Sequence, residues 1–329
     1  LWYDNLMEKK ITIADIARMA NVAKSTVSRY LNGGSVSEKT RRKIDTIVSD
    51  YNYQPNALAQ NLKLKINHTV GVIVPRLDST AQVEMLRGLD AVNDEDTFLI
   101  VNTYQSVARE LAAIEKLRNQ HVSGLIILTA NITDDIRDAL KAFDVPVVIQ
   151  GQDEGDFHRV LMNDRQAGDI VGQYAVSLTP KKVLLLTIPE QQDWSIGHDR
   201  FTGIYHALAD YDVTTIHTKF NIDEARNDAL HVMSQNTFDL VIGATDRMTI
   251  GALQAGIATH QSAKYIGFGK SDLSTTVTPH LTSFEYDFYE TGKLMYNLLK
   301  NVRENNPSEK QRLVFDGQLV ERESTQNFY

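Results

Sequence analysis

Hydrophobic spacing divides the chain into two textures. Residues 11–54 carry apolar side chains at helical intervals and show no strand pattern. Ile13, Ile16, Ala17 and Ala20 share one face. Thr12 stands before them as a cap with Asp15 three residues on, a variant of the reciprocal capping box. Asn21 tolerates left-handed backbone and suits a tight turn. A second helix is predicted over 24–31, with Val27, Tyr30 and Leu31 on one side and Gly33-Gly34 ending it. Ser37 can cap a third helix, in which Ile44, Ile47, Val48 and Tyr51 recur at i, i+3, i+4 and i+7. Pro55 breaks that run, and 56–63 follow as a helix too short to be stable alone.

From His68 the texture changes. Apolar, β-branched runs at 69–74, 98–103, 124–128, 145–149, 183–188, 214–218, 240–244 and 265–268 alternate with helical patterns. Near-continuous apolar strands between helices predict parallel sheets covered on both faces. About eight strands over some 260 residues exceed one compact sheet of this kind, so two α/β lobes are expected, with any ligand at the carboxyl ends of the strands. The fold class expected is therefore α/β: an all-helical N-terminal domain plus a two-lobed core of parallel sheets.

Composition narrows the choice. Of 329 residues 42% are hydrophobic, but no apolar run is long enough to cross a membrane, and no secretory signal is visible. Met7 reads as the natural start, with residues 1–6 a start-site or cloning artefact. There is no cysteine, which excludes disulfides, thiolate metal sites and cysteine nucleophiles and is consistent with a reducing cytoplasm. The net charge of −8 hides an asymmetry: residues 7–66 hold eleven Lys/Arg against five acids, whereas 67–329 sum to −13. A basic head on an acidic body is either a solvated face or a phosphate-backbone footprint.

The string Thr12–Asn32 has the form of a helix-turn-helix, two short helices joined by a tight turn. Lys24, Ser25 and Arg29 would then face base edges in the major groove, where Arg matches guanine O6/N7. Thr26, Ser28 and Asn32 could bond phosphates and fix register. The helix at 56–63 would be held by DNA or by a partner chain.

Three linked motifs, Thr26-Val27-Ser28-Arg29-x-Leu31-Asn32, Val36-Ser37-x-x-Thr40-Arg41 and Tyr53-x-Pro55-Asn56-x-x-Ala59-x-x-Leu62, resemble the head of the LacI/GalR family. The resemblance implies a helix-turn-helix domain over 10–55, a hinge helix and linker over 56–66, and a periplasmic-binding-protein-like core over 67–329. The lobes would be 67–163 with 288–315, and 164–287 with 316–329. It makes Leu62 a wedge in the minor groove at the operator centre, with Ala59 packed beside it. Thr12, Tyr53, Asn56 and Lys63 would complete the DNA contacts. Asn21 and Ala23 depart from the usual Gly and Ser. Ala23 cannot cap, at a cost of about 1 kcal/mol to the second helix. Tyr30 replaces a smaller residue and is expected to be partly exposed.

In the core, Val70–Ser79, Val160–Gly168, Arg200-Phe201-x-Gly203, Gly243–Asp246, Ile266–Gly269 and Leu281–Phe284 resemble the family's cleft edges. A sugar pocket needs polar groups for hydroxyls and an aromatic face for the ring. Arg200 and Asp246 are the polar candidates, although Asp246 could equally cap a helix. Trp194 is the aromatic candidate, against a plain surface role. Arg76, Lys270 and Arg200 suit a phosphorylated sugar or, equally, salt bridges between lobes. Ser79, Gln150 and Tyr286 complete the effector set. Pro75-Arg76-x-x-Ser79 and Gly267-Phe268-Gly269, with the head motif, are most similar to repressors of sucrose operons in Gram-positive bacteria, and next to trehalose-type regulators.

The resemblance implies a homodimer on a palindromic double-stranded operator, with a sugar or sugar-phosphate effector between the lobes and, as in catabolite-control relatives, a protein co-repressor as a further partner. No cofactor, metal or membrane is expected. An enzyme is disfavoured: Gly269-Lys270-Ser271 resembles the end of a phosphate-binding loop, but Lys264 stands where its first Gly belongs. No H-E-x-x-H or G-x-S-x-G appears, and the nine histidines are scattered. A cytoplasmic sugar-binding or sugar-modifying protein is the remaining alternative.

Overall fold

A computed structural model describes residues 11–31, 33–51, 53 and 68–326. The contacts divide the chain into a head, residues 1–67, and a body, residues 68–329.

The head's helices are α1 (Ile13–Ala20), α2 (Lys24–Leu31) and α3 (Glu38–Asp50). Thr12 caps α1 reciprocally: its backbone N–H donates to the Asp15 carboxylate at 3.0 Å, and its hydroxyl accepts from the Asp15 N–H at 3.3 Å. Asn21 ends α1 in the left-handed conformation, φ 54° and ψ 51°, which turns the chain into α2. Ser37 caps α3 through the Thr40 N–H. Ile16, Ala17, Ala20, Val27 and Ile44 form the buried centre. Tyr30 packs half-buried against it, and its hydroxyl bonds the Asp45 carboxylate, so α2 is tied to α3.

The body runs β1 (Thr69–Val74), α4 (Thr80–Ala91), β2 (Thr97–Asn102), α5 (Val107–Asn119), β3 (Gly124–Leu128), α6 (Asp134–Lys141), β4 (Val147–Gln150) and β5 (His158–Met162). It continues α7 (Asp164–Ser177), β6 (Lys182–Thr187), a π-helical turn (Ser195–Arg200) leading into α8 (Phe201–Ala207), β7 (Asp212–His217), α9 (Ile222–Met233) and β8 (Leu240–Gly243). The last elements are α10 (Asp246–Ala258), β9 (Lys264–Phe268), α11 (Leu273–Thr276), β10 (Thr282–Glu285), α12 (Phe288–Asn305), β11 (Arg312–Phe315) and β12 (Gln318–Val320).

Two six-stranded sheets result, ordered β11-β5-β4-β3-β1-β2 and β12-β10-β9-β8-β6-β7. The chain crosses between them after β5, after β10 and after β11. The second sheet is not wholly parallel, because β12 pairs antiparallel with β10. Alternation explains the apolar runs. On β1, Val70, Val72 and Val74 pack under α4 and α12, while Ile73 packs toward α5 and α6. Strands buried on both faces have no polar side to show. The pattern missed β5, β10, β11 and β12, which are three to five residues long and each begin with a polar residue. Among the described residues, no helix is long and apolar enough to cross a membrane.

Candidate functional site

On the head, α2 turns Val27 inward and leaves Lys24, Ser25 and Arg29 exposed, with Thr26 and Ser28 partly so. A helix of this length fits a major groove, and these residues share its outer side. The Thr12 hydroxyl is engaged by Asp15 at 2.7 Å, so its first role is the cap. Tyr53 is partly buried against the head's core, which raises its phenol above the ordinary value. Asn32, Asn56, Ala59, Leu62 and Lys63 lie outside the described residues.

In the body a cavity of about 150 Å³ opens between the two sheets. It lies beyond the carboxyl ends of β1, β4, β8, β9 and β10, which carry Arg76, Gln150, Asp246, Lys270 and Tyr286 to its wall. Open parallel sheets bind ligands at such edges. Ser79 and Arg200 also line it, so seven of the eight residues expected from the sequence come together.

The exception is Trp194. Its side chain is 42% exposed and stacks on His198, with ring centroids 4.0 Å apart. Residue 194 begins the helical path that leads to Arg200 and so shares a face with residue 198, four positions on, whereas Arg200 turns the other way. The aromatic faces in the cavity are Phe220, Phe268, Tyr286 and Phe288.

Arg200 is buried and stays charged. Burial is the largest single influence and opposes that charge, but Asp164, Tyr286 and Asp193 together outweigh it and hold the guanidinium above its ordinary range. Nε bonds Asp164 at 2.9 Å, Nη1 donates to the Ala244 carbonyl, and the group lies over the Phe268 ring at 4.5 Å. Tyr286 donates to the same Asp164 oxygen at 3.2 Å. Gly168 makes this approach possible, because a Cβ there would stand 1.9 Å from the Arg200 carbonyl oxygen. Lys270 is exposed and bonded to Asp287 at 2.7 Å, which raises it above the ordinary lysine value. The Arg200 pair stays within the second sheet's lobe, since its partner Asp164 begins the helix that leads into β6, whereas Lys270, after β9 of the second sheet, bonds Asp287, the cap of α12, which packs on the first sheet.

Asp246 is the first residue of α10, and Thr245 is its cap, accepting from the Met248 N–H at 3.4 Å. Asp246 accepts instead from Ser283 at 2.6 Å and Ser271 at 3.3 Å. Burial pushes its carboxyl up to about 6 against those bonds. Asp193, also on the wall, is pushed by burial up to about 7, tempered by the Ile196 N–H. Sequence reasoning passed over Asp164, Asp193, Phe220 and Arg247. Asp164 lay inside a quoted motif, Arg247 adjoins Asp246, and Phe220 follows β7 at the same kind of strand end.

Comparison with known proteins follows the same division. The signature of bacterial regulatory proteins of the lacI family matches residues 12–56, and a periplasmic binding protein domain matches 70–277. The sucrose operon repressor of Staphylococcus xylosus is 32% identical over 92% of this chain and 97% of its own. Catabolite control protein A of Staphylococcus epidermidis is 28% identical over 96% and 99%. Among solved structures, the lac repressor dimer bound to operator and the anti-inducer ONPF superposes with a TM-score of 0.82 at 22% identity, over 97% of this chain and all of that one.

Proposed function

The chain belongs to the LacI family of bacterial transcription regulators, and on that premise we propose that it is a cytoplasmic repressor of a sugar-utilisation operon, with sucrose the preferred sugar. The observation that carries the sugar reading is the 32% identity to a sucrose operon repressor along almost all of both chains. The cavity supports it: hydrogen-bonding side chains stand beside the Phe220 and Phe268 rings, as a sugar's hydroxyls and apolar face require.

In this reading two chains pair through their bodies and set two heads on adjacent half-sites of a palindrome. Lys24, Ser25 and Arg29 read bases. Residues 10–55 form the reading domain and 56–66 the hinge, where Leu62, beside Ala59, wedges a central base step. Asn32, Asn56 and Lys63 add backbone contacts. A sugar, free or phosphorylated, enters between the lobes, changes their angle, and withdraws the hinge segments from each other. Ligand and operator affinities are then coupled reciprocally.

The test is a mobility shift on palindromes from the gene's own promoter region across a salt series, with and without sugars. Expected are binding that weakens steeply with salt and release by one sugar class. Leu62→Ala should weaken operator binding, and unchanged affinity would refute the wedge. Absence of binding at low salt would refute the repressor reading. A second reading, control by a protein co-repressor on the body, is favoured by the 28% identity to catabolite control protein A. It predicts that sugars alone leave the shift unchanged.

A further inference from the structure

Four cations line the cavity: Arg76, Arg200, Arg247 and Lys270. Two are already answered, Arg200 by Asp164 and Lys270 by Asp287. The other two are not. Among the described residues neither Arg76 nor Arg247 forms an ion pair, and the Nε of each is buried with no hydrogen-bond partner. A buried guanidinium N–H left unbonded carries a full desolvation cost, which folding normally avoids.

Both arginines also reach across the cleft. Arg76, at the end of β1, lays its guanidinium over the Phe220 ring, which follows β7, at 4.1 Å. Arg247, on the first turn of α10, donates to the Asp78 carbonyl oxygen, which precedes α4, at 3.3 Å. The two are near enough that, after burial, Arg247 is among the influences pushing Arg76 toward its neutral form. Two like charges have thus been brought together; Asp78 and Asp193 favour the charged form of Arg76, but neither forms an ion pair with it among the described residues, and Asp193 is itself disfavoured as an anion by burial.

We propose that Arg76 and Arg247 form a clamp for the phosphoryl group of a phosphorylated sugar, the sugar ring lying toward the hydrogen-bonding wall of Arg200, Asp246 and Gln150. The inference rests on the reading of this cavity as the effector site. A phosphomonoester dianion matches two guanidinium charges and offers three terminal oxygens to their N–H groups, whereas a carboxylate is satisfied by a single guanidinium fork. Because each arginine belongs to one lobe and touches the other, an anion bonded to both would hold the lobes closed.

Calorimetric titration of the full-length chain with sucrose, trehalose and glucose, each beside its 6-phosphate, and with glucuronate and inorganic phosphate, tests this. At least one ester should bind about 100-fold more tightly than its parent sugar, and Arg76→Gln and Arg247→Gln should each cut that ratio about tenfold or more. The ratio is taken within one preparation, so a partly unfolded variant does not distort it. Arg76→Lys, which keeps the charge without the fork, should retain part of the preference. Equal binding of ester and parent sugar, binding of glucuronate as tight as the best ester, or an ester preference that survives both Gln substitutions would overturn the clamp and leave the effector-site reading standing. No heat with any sugar or ester would overturn both.

Discussion

Glu110 sits on α5 behind the cavity wall, 7% exposed, and no cation pairs with its carboxylate among the described residues. Its one resolved partner is the Thr129 hydroxyl, donating at 2.9 Å, and Thr129 lines the cavity. Burial pushes the carboxyl from 4.5 up to about 7, only partly offset by that bond. The folded body therefore keeps a proton that the unfolded chain releases above about pH 4.5. Stability from this group is complete below that pH, falls by at most about 1.4 kcal/mol per unit as pH rises toward 7, and changes little beyond. The loss across the window is about 3 kcal/mol, the shift of roughly 2.5 units converted at 1.36 kcal/mol each. Glu110→Gln removes the titration and keeps an acceptor for Thr129. Burying the amide carries its own cost, but that cost does not vary with pH. Urea unfolding of both proteins at pH 5, 6, 7 and 8 should show the variant gaining on the parent by about 2.5 kcal/mol from the lowest to the highest pH, the remainder of the loss falling below pH 5. Parallel stability curves would refute the claim that Glu110 is held protonated by burial.

Arg200→Ala should abolish the response to effector and cost the body about 3–5 kcal/mol, because it strands the buried Asp164 carboxylate. Operator release in a sugar titration at low temperature, with chemical unfolding alongside, checks both, and a normal response would contradict the assignment. Thr12→Ala removes the acceptor for the Asp15 N–H and should destabilise the head by about 1 kcal/mol, read as the urea midpoint of the head's helical signal. An unchanged midpoint would mean that the capping box contributes little there.

The head was almost wholly legible, since each of its signals acts within a few residues. Thr12 with Asp15, Asn21 in the left-handed region and Ser37 with Thr40 are local hydrogen-bond and dihedral choices that the chain makes wherever it is placed. The doubly buried strands β1, β3, β6 and β8 were legible for a similar reason: both faces are covered, so their central positions are all apolar. The edge strands β11 and β12 were not, because they are only four and three residues long and each begins with a polar residue. The cavity was legible as a set of strand ends but not in its chemistry. Arg76, Arg200 and Lys270 look alike in the sequence. Which of them is spent depends on carboxylates brought in from elsewhere, Asp164 from 36 positions away and Asp287 from 17. Trp194 reads in the sequence as a ring-covering aromatic, but helical phase turns it onto His198, and the aromatic rings that line the cavity are those of Phe220, Phe268, Tyr286 and Phe288. Local backbone preference is written residue by residue, whereas the partner of a buried charge is decided only when distant segments pack.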